Sequence, residues 1–188
     1  LNGLNAYSGA TYIYGGVLSV NHLADGGSAS GIGQSSNAAT NLVIDGGTLS
    51  YTGAGGSTNR RFTIGNSAAL DASVAVSPEG NGVVNFTNTA EIVLNGFGPT
   101  TLTLAGNNTG SNTLAALIKD GFDQTSVVKN GPGTWVLSNA NSYSGSTTVN
   151  GGRLQITHAD GLQNSQGLIV NGGGAFHFNW RCSSRSVP

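Results

Sequence analysis

One segment of this chain occurs twice. Asn5-Ala6-Tyr7-Ser8-Gly9-Ala10-Thr11-Tyr12-Ile13-Tyr14-Gly15-Gly16-Val17-Leu18 returns as Asn141-Ser142-Tyr143-Ser144-Gly145-Ser146-Thr147-Thr148-Val149-Asn150-Gly151-Gly152-Arg153-Leu154. Shorter echoes lie in Ile44-Asp45-Gly46-Gly47-Thr48-Leu49 and Val170-Asn171-Gly172-Gly173-Gly174-Ala175, so one theme is reused: apolar strand, Asx-Gly-Gly turn, apolar strand. Self-similarity built from strand and turn is the mark of a solenoid, in which successive units stack on one another.

Composition supports strands over helices. Charged residues make up 8% of the chain, where about 25% is usual, and the 31 glycines are roughly double ordinary usage. Such a surface is covered by Ser, Thr, Asn and Gly, which favour turns and outward strand positions over helix interiors. Disorder is the competing reading of a polar, glycine-rich chain. Against it stands the 37% apolar content, which arrives in regularly placed alternating pairs.

Those pairs define the expected inner face: Leu18 and Val20, Leu49 and Tyr51, Phe62 and Ile64, Val84 and Phe86, Ile92 and Leu94, Leu102 and Leu104, Trp135 and Leu137, Leu154 and Ile156. Alternate residues of a strand point to opposite sides, so Ser19, Ser50, Thr63, Asn85, Val93, Thr103, Val136 and Gln155 form the outward row. Between strands sit Asp45-Gly46-Gly47, Asn95-Gly96, Asn130-Gly131-Pro132-Gly133, Asn150-Gly151-Gly152 and Asn171-Gly172-Gly173. Their glycines supply the positive φ that tight corners demand. The expectation is an all-β, right-handed parallel β-helix, with handedness following the general preference of parallel connections. At roughly 20 to 25 residues per turn it would have about eight rungs. An antiparallel β-sandwich or meander is the alternative, because Asn-Gly turns also suit hairpins.

The chain of 188 residues is long enough for one sizeable core. Residues 1–178 are expected to form a single domain. Residues 179–188 break the alternation, hold the lone Cys182 and lack the Asx-Gly turn grammar of the rest, and are read as a non-native or disordered tail. One cysteine permits neither an intramolecular disulfide nor a cysteine metal cluster. No apolar run approaches the roughly 20 residues of a membrane-spanning helix. Leu1 falls opposite Leu137 of the second copy, and no charged-then-apolar leader begins the chain, so the sequence reads as an interior piece without its own export signal.

The run from Val127 to Leu154, with Lys129-Asn130-Gly131-Pro132-Gly133-Thr134-Trp135-Val136-Leu137-Ser138 leading into Asn141-Ser142-Tyr143-Ser144-Gly145-Ser146-Thr147-Thr148-Val149, resembles the autotransporter-associated β-strand repeat, or passenger-associated transport repeat. Pro132 and Asn139 are small departures that bear on local turn shape. The stretch from Asn21 to Asp120 is similar to the spacers between such repeats. The resemblance implies a structural role for Gly131, Gly133, Trp135, Leu137, Asn141, Tyr143, Gly145, Thr147, Val149, Gly151, Gly152 and Leu154. It also implies a passenger segment of a type V secretion system: a β-helical stalk, secreted or displayed at the cell surface outside the outer membrane. Its partner would be the translocator β-barrel of the same polypeptide.

Catalysis is the competing class, since parallel β-helices include polysaccharide-degrading enzymes, which need convergent carboxylates. The eight carboxylates here never occur as an adjacent pair and mostly fall at turns, where capping explains them. Neither catalytic residues, metal ligands nor a cofactor are expected: His22 and His158 hold equivalent repeat positions, which favours a shared structural task over two catalytic sites. Adhesion is the third class. Tyr7, Tyr12, Tyr14, Tyr143 and Trp135 could stack on sugar rings. Trp135 alternates with Leu137 and reads as core, so Tyr12 and Tyr14 are the better candidates for contact with a carbohydrate or host surface. Nucleic acid is a poor candidate partner at a net charge of −1. The adjacent pair Arg60-Arg61 reads as two solvated side chains at a loop-to-strand junction. Open solenoid ends would also favour end-to-end self-association.

Overall fold

The computed structural model describes residues 3–71 and 82–179, so the tail beyond Asn179 lies outside the described residues. The chain runs through seven levels of short strands. The first holds β1 (Thr11–Ile13) and β2 (Val17–Val20). A 3-10 turn at Ala39–Asn41 leads into the second, with β3 (Leu42–Ile44), β4 (Thr48–Tyr51) and β5 (Gly56–Thr58). The third has β6 (Thr63–Ile64), β7 (Ser67–Asp71) and β8 (Val84–Phe86); the fourth has β9 (Val93–Leu94), β10 (Thr100–Ala105) and β11 (Ser111–Leu114). Then follow β12 (Thr125–Lys129) and β13 (Thr134–Leu137), β14 (Thr147–Val149) and β15 (Gly152–Ile156), and β16 (Leu168–Val170) and β17 (Gly174–Phe178).

These strands make three sheets, and each level contributes one strand to each sheet it reaches. One sheet has the order β1-β3-β6-β9, a second β16-β14-β12-β10-β7-β4-β2, and a third β17-β15-β13-β11-β8-β5. Every strand pairing is parallel, and among the described residues the one antiparallel contact is the isolated bridge from Asn5 to Ser30. This arrangement is consistent with a β-solenoid and does not match a sandwich or meander. The levels number seven among the described residues rather than about eight. The long segment 21–41 lengthens the first of them.

Period-two alternation builds the interior. Paired residues superpose level on level, so Leu18, Leu49, Leu70, Leu104, Lys129, Val149 and Val170 form one inward column. Thr58, Phe86, Leu114, Leu137, Ile156 and Phe178 form another. A third runs through Ile13, Ile44, Ile64 and Leu94. The expected inner pairs all face this core, where each fully buried aliphatic side chain contributes about 1.5–3 kcal/mol. The register near Gly172-Gly173-Gly174 places Phe176 over Leu154 and Phe178 over Ile156, so the phenylalanines, not Ala175 and His177, continue the inner columns. The outward row is less exposed than alternation implies. Ser50, Thr63 and Val136 are buried, and Thr63 Oγ1 donates to the Ala39 carbonyl at 3.0 Å, beneath the 3-10 turn.

The two copies of the repeated segment occupy different sheets. Thr11–Ile13 of the first lies in the four-stranded sheet, whereas its counterpart Thr147–Val149 lies in the seven-stranded one; Val17–Val20 and Gly152–Ile156 are displaced in the same sense. The motif therefore encodes a strand-corner-strand unit and not a particular face.

Arg60 departs from the sequence expectation. It is 2% exposed. Its Nη2 donates to the carbonyls of Gly33 at 2.9 Å and Ser28 at 3.2 Å, Nη1 to Ser35 Oγ at 2.9 Å, and Nε to the Ala24 carbonyl at 3.3 Å. A fork of fixed donors suits a loop whose carbonyls converge, and Arg60 thereby clamps the segment 21–41 to the second level. Arg61 stays half-buried and donates to the Glu91 carbonyl at 3.1 Å.

Candidate functional site

The repeat motif forms a corner built from backbone and small polar groups. Gly131 and Gly152 have φ of +73° and +60°, and a Cβ on Gly152 would meet the Gly133 carbonyl oxygen at 2.3 Å. Glycine is needed there both for the left-handed backbone and for the close approach of successive corners. Gly133, Gly145 and Gly151 are likewise crowded by backbone of the preceding level. Trp135 is fully buried and donates from Nε1 to the Ala105 carbonyl at 2.8 Å. Leu137, Val149 and Leu154 are also fully buried. Asn141 accepts the Ile118 amide at Oδ1, 3.0 Å away, joining one level to the next. The motif residues thus converge on coil-to-coil packing.

Tyr143, grouped by sequence with the exposed aromatics, is buried instead. Its hydroxyl meets Thr147 Oγ1 at 2.7 Å, and Thr147 in turn contacts Ser165 Oγ at 3.2 Å. Burial pushes its pKa up to about 12.

Lys129 is a structural residue that strand reasoning missed. It sits at an inward position between Leu104 and Val149 and is fully buried. Its Nζ donates to the carbonyls of Asn130 at 2.7 Å, Gly131 at 2.8 Å and Gly151 at 3.2 Å, so one ammonium ties two successive corners together. Desolvation lowers its pKa to about 8. Outside the same corner, Asn150 Nδ2 donates to Asn130 Oδ1 at 2.8 Å, and Asn171 Nδ2 to Asn150 Oδ1 at 2.6 Å, a short amide ladder along the stack.

Carboxylates serve the same end. Asp25 Oδ1 accepts the Asn59 amide at 2.7 Å, Asp45 Oδ1 the Asn66 amide at 3.0 Å, and Asp120 Oδ1 the amides of Thr125 at 2.8 Å and Ser144 at 3.0 Å. Each reaches backbone of the following level and not only its own turn, so these carboxylates tie levels together where sequence reasoning expected local turn caps. His158 and Asp160 form a local exposed pair, with the Asp160 amide donating to His158 Nδ1 at 3.1 Å. The carbonyls of His22 and His158 each accept a glycine amide, from Gly31 at 2.8 Å and Gly161 at 3.1 Å. Among the described residues no three His, Cys, Asp or Glu side chains gather as metal ligands would.

The surface carries two aromatic pairs. Tyr12 and Tyr14 stack with centroids 5.6 Å apart and are 56% and 70% exposed. Phe97 and Phe122, which sequence reasoning passed over, lie on successive levels with centroids 6.1 Å apart and planes at 66°. The signal was present in Asn95-Gly96-Phe97-Gly98-Pro99 and Gly121-Phe122-Asp123, where turn-forming neighbours place each phenylalanine at a corner apex. Next to Phe122 along the chain, a groove of about 270 Å³ is lined by the stretches 91–94 and 119–121. No helix among the described residues is long and apolar enough to cross a membrane.

Comparison with known proteins places these corners in a family. The passenger-associated-transport-repeat profile matches residues 1–20 and 127–156. A protein of Brucella suis biovar 1 (strain 1330), described as "Adhesin BmaC autotransporter", is 48% identical over 133 residues, which cover 70% of this chain and 4% of that protein. The chain thus spans a small fraction of the curated relative it matches. No solved structure matches it significantly.

Proposed function

This chain is an autotransporter passenger fragment carrying passenger-associated transport repeats, and we propose that its role is that of a right-handed β-helical stalk, secreted through a translocator β-barrel of the same polypeptide and held at the cell surface. The observation that carries the reading is the unbroken parallel pairing from β2 to β16, in which each strand of the sheet pairs with strands of the levels directly before and after it. Such a structure can add one coil at a time as the chain emerges, because no coil waits for a distant partner. Each added coil buries another set of inward side chains and makes backward sliding unfavourable. The motif residues from Gly131 to Leu154 and the Lys129 bridge would favour early locking of their coils. Apolar residues of the last level, Leu168, Ile169 and Val170, are partly exposed and offer a surface for a following coil or for end-to-end association.

Non-catalytic function is supported by the use of Asp25, Asp45 and Asp120 as inter-level caps and by a relative described as an adhesin. That description also favours an adhesive second reading, in which the stalk itself presents a contact for a carbohydrate or host surface, with Tyr12 and Tyr14 as the sequence-derived candidates. The structural reading is tested by deleting residues 127–156 from a full-length parent and measuring protease-accessible passenger on intact cells. Display is expected to fall severalfold; unchanged display would overturn the stalk-locking role.

A further inference from the structure

The four-stranded sheet stops at β9, while the other two sheets continue through the later levels. Where its next strand would lie, the chain keeps only an isolated bridge from Glu91 to Leu117 and then turns away, with the Gly121 amide donating to the Asp123 carbonyl at 3.2 Å. This departure opens the groove of about 270 Å³. Val93 and Leu94 form its apolar floor, and Glu91 and Lys119, paired with each other, form a polar rim. Phe122 follows Gly121 on one side of it, and Phe97 follows Leu94 by three positions.

Exposure singles out this place. Among the described residues, the other exposed large hydrophobic side chains belong to the chain's beginning, from Leu4 to Val17, or to its last level, from Leu168 to Phe178. Those residues lie on the two end levels, and Tyr12 is there the outward residue of β1. Phe97 and Phe122 lie mid-stack, with levels on both sides, and are nonetheless 89% and 82% exposed. Two phenyl rings set together in water form an apolar patch larger than a lone surface side chain, and contiguous exposed apolar patches are where contact sites are found.

We propose that the Phe97–Phe122 pair and the adjoining groove form a glycan-binding site. A sugar ring has an apolar C–H face and a rim of hydroxyls. The phenyl rings supply the stacking face, the Glu91 carboxylate accepts hydrogen bonds from sugar hydroxyls, and the Lys119 ammonium donates hydrogen bonds to hydroxyl oxygens. The groove is smaller than the roughly 300–1,000 Å³ of pockets that engulf larger ligands, which suits one or two sugar units lying on the surface. A protein partner would require an interface of about 1,600 Å², far beyond two phenyl rings and a charged rim. This site goes beyond the stalk role and is independent of it, since retention of a sugar and export are separate readouts.

The test displays the whole 188-residue chain as a streptavidin tetramer on an array of neutral and acidic oligosaccharides, the multivalent format raising weak single-site affinity. Retention on at least one oligosaccharide class is expected. Phe97→Ala and Phe122→Ala should each weaken it about tenfold, and the double substitution should abolish it with thermal unfolding unchanged, because neither ring is buried. Tyr12→Ala with Tyr14→Ala should leave retention intact. Absence of retention across the array, retention that survives the double phenylalanine substitution, or retention lost only with the tyrosine substitutions would each overturn the proposal.

Discussion

The two copies of the repeated segment form the same local structure in different surroundings. Tyr7 and Tyr143 each place a hydroxyl 2.7 Å from a threonine Oγ1 four residues later, on Thr11 and Thr147. Yet Tyr7 is 41% exposed and Tyr143 is fully buried. Gly9 has nothing within 4 Å of a would-be Cβ, whereas one on Gly145 would meet the Thr125 carbonyl oxygen at 2.3 Å. The second copy lies between levels, β14 between β12 and β16, while β1 and β2 each pair on one side alone. The motif thus specifies a corner, and its neighbours decide how much each residue contributes.

Three measurements sharpen or break that contrast. The largest effect is expected from Gly145→Val, which forces a side chain into backbone of the level beneath and should destabilise the chain by about 3 kcal/mol or more in urea unfolding. The matched Gly9→Val should stay within about 0.5 kcal/mol. Equal effects would show that the two environments do not differ as described.

A second test uses pH, because the level beneath the second copy holds Lys129. Its pKa of about 8 in the fold lies below the ordinary 10.5, so between those values the unfolded chain binds more protons and stability rises with pH. Tyr143 runs the other way. Its pKa of about 12 exceeds the ordinary 10.0, so between 10 and 12 the folded chain holds the proton that the unfolded chain has lost, and stability falls. Thermal unfolding should therefore show a maximum near pH 10, with a gain on the order of 2 kcal/mol from pH 8 upward. Lys129→Met should flatten the rising limb alone. A rise that persists in that variant would assign it to other groups.

The smallest effect should come from removing the tyrosine hydroxyls. Tyr143→Phe deletes a buried hydrogen bond and should destabilise by about 1 kcal/mol, while Tyr7→Phe, whose hydroxyl is closer to solvent, should change stability by less than about 0.5 kcal/mol. Differential unfolding of the two variants decides the matter.

Much of this was legible before any coordinates. Period two placed Leu102 with Leu104 and Trp135 with Leu137 on the inner face, because a parallel stack must bury one side of each strand. The corners at Gly46, Gly131, Gly152 and Gly173 announced themselves through their need for positive φ, whereas Gly96 of the Asn95-Gly96 corner does not adopt it. What stayed hidden depends on the neighbouring level. Lysine in a strand reads as solvent-facing, and nothing local reveals that three corner carbonyls converge on Lys129. Arg60 beside Arg61 looks like a solvated pair, and its burial follows from the carbonyls of a loop some thirty residues earlier. The sheet occupied by each copy was equally invisible, since the residues that the two motifs share carry no mark of phase. Phe97 and Phe122 stood at glycine-flanked apices, but their pairing requires the superposition of two levels.

That displacement of the copies by one sheet bears on how such a gene can change length. Unequal crossing-over between the two segments would join the start of one to the end of the other without altering the motif itself. The fused chain would then direct everything distal to the junction onto the adjacent face. Groups that had lain along one side of the rod would emerge on another, so a single recombination would alter the azimuth of the distal surface as well as the length of the molecule.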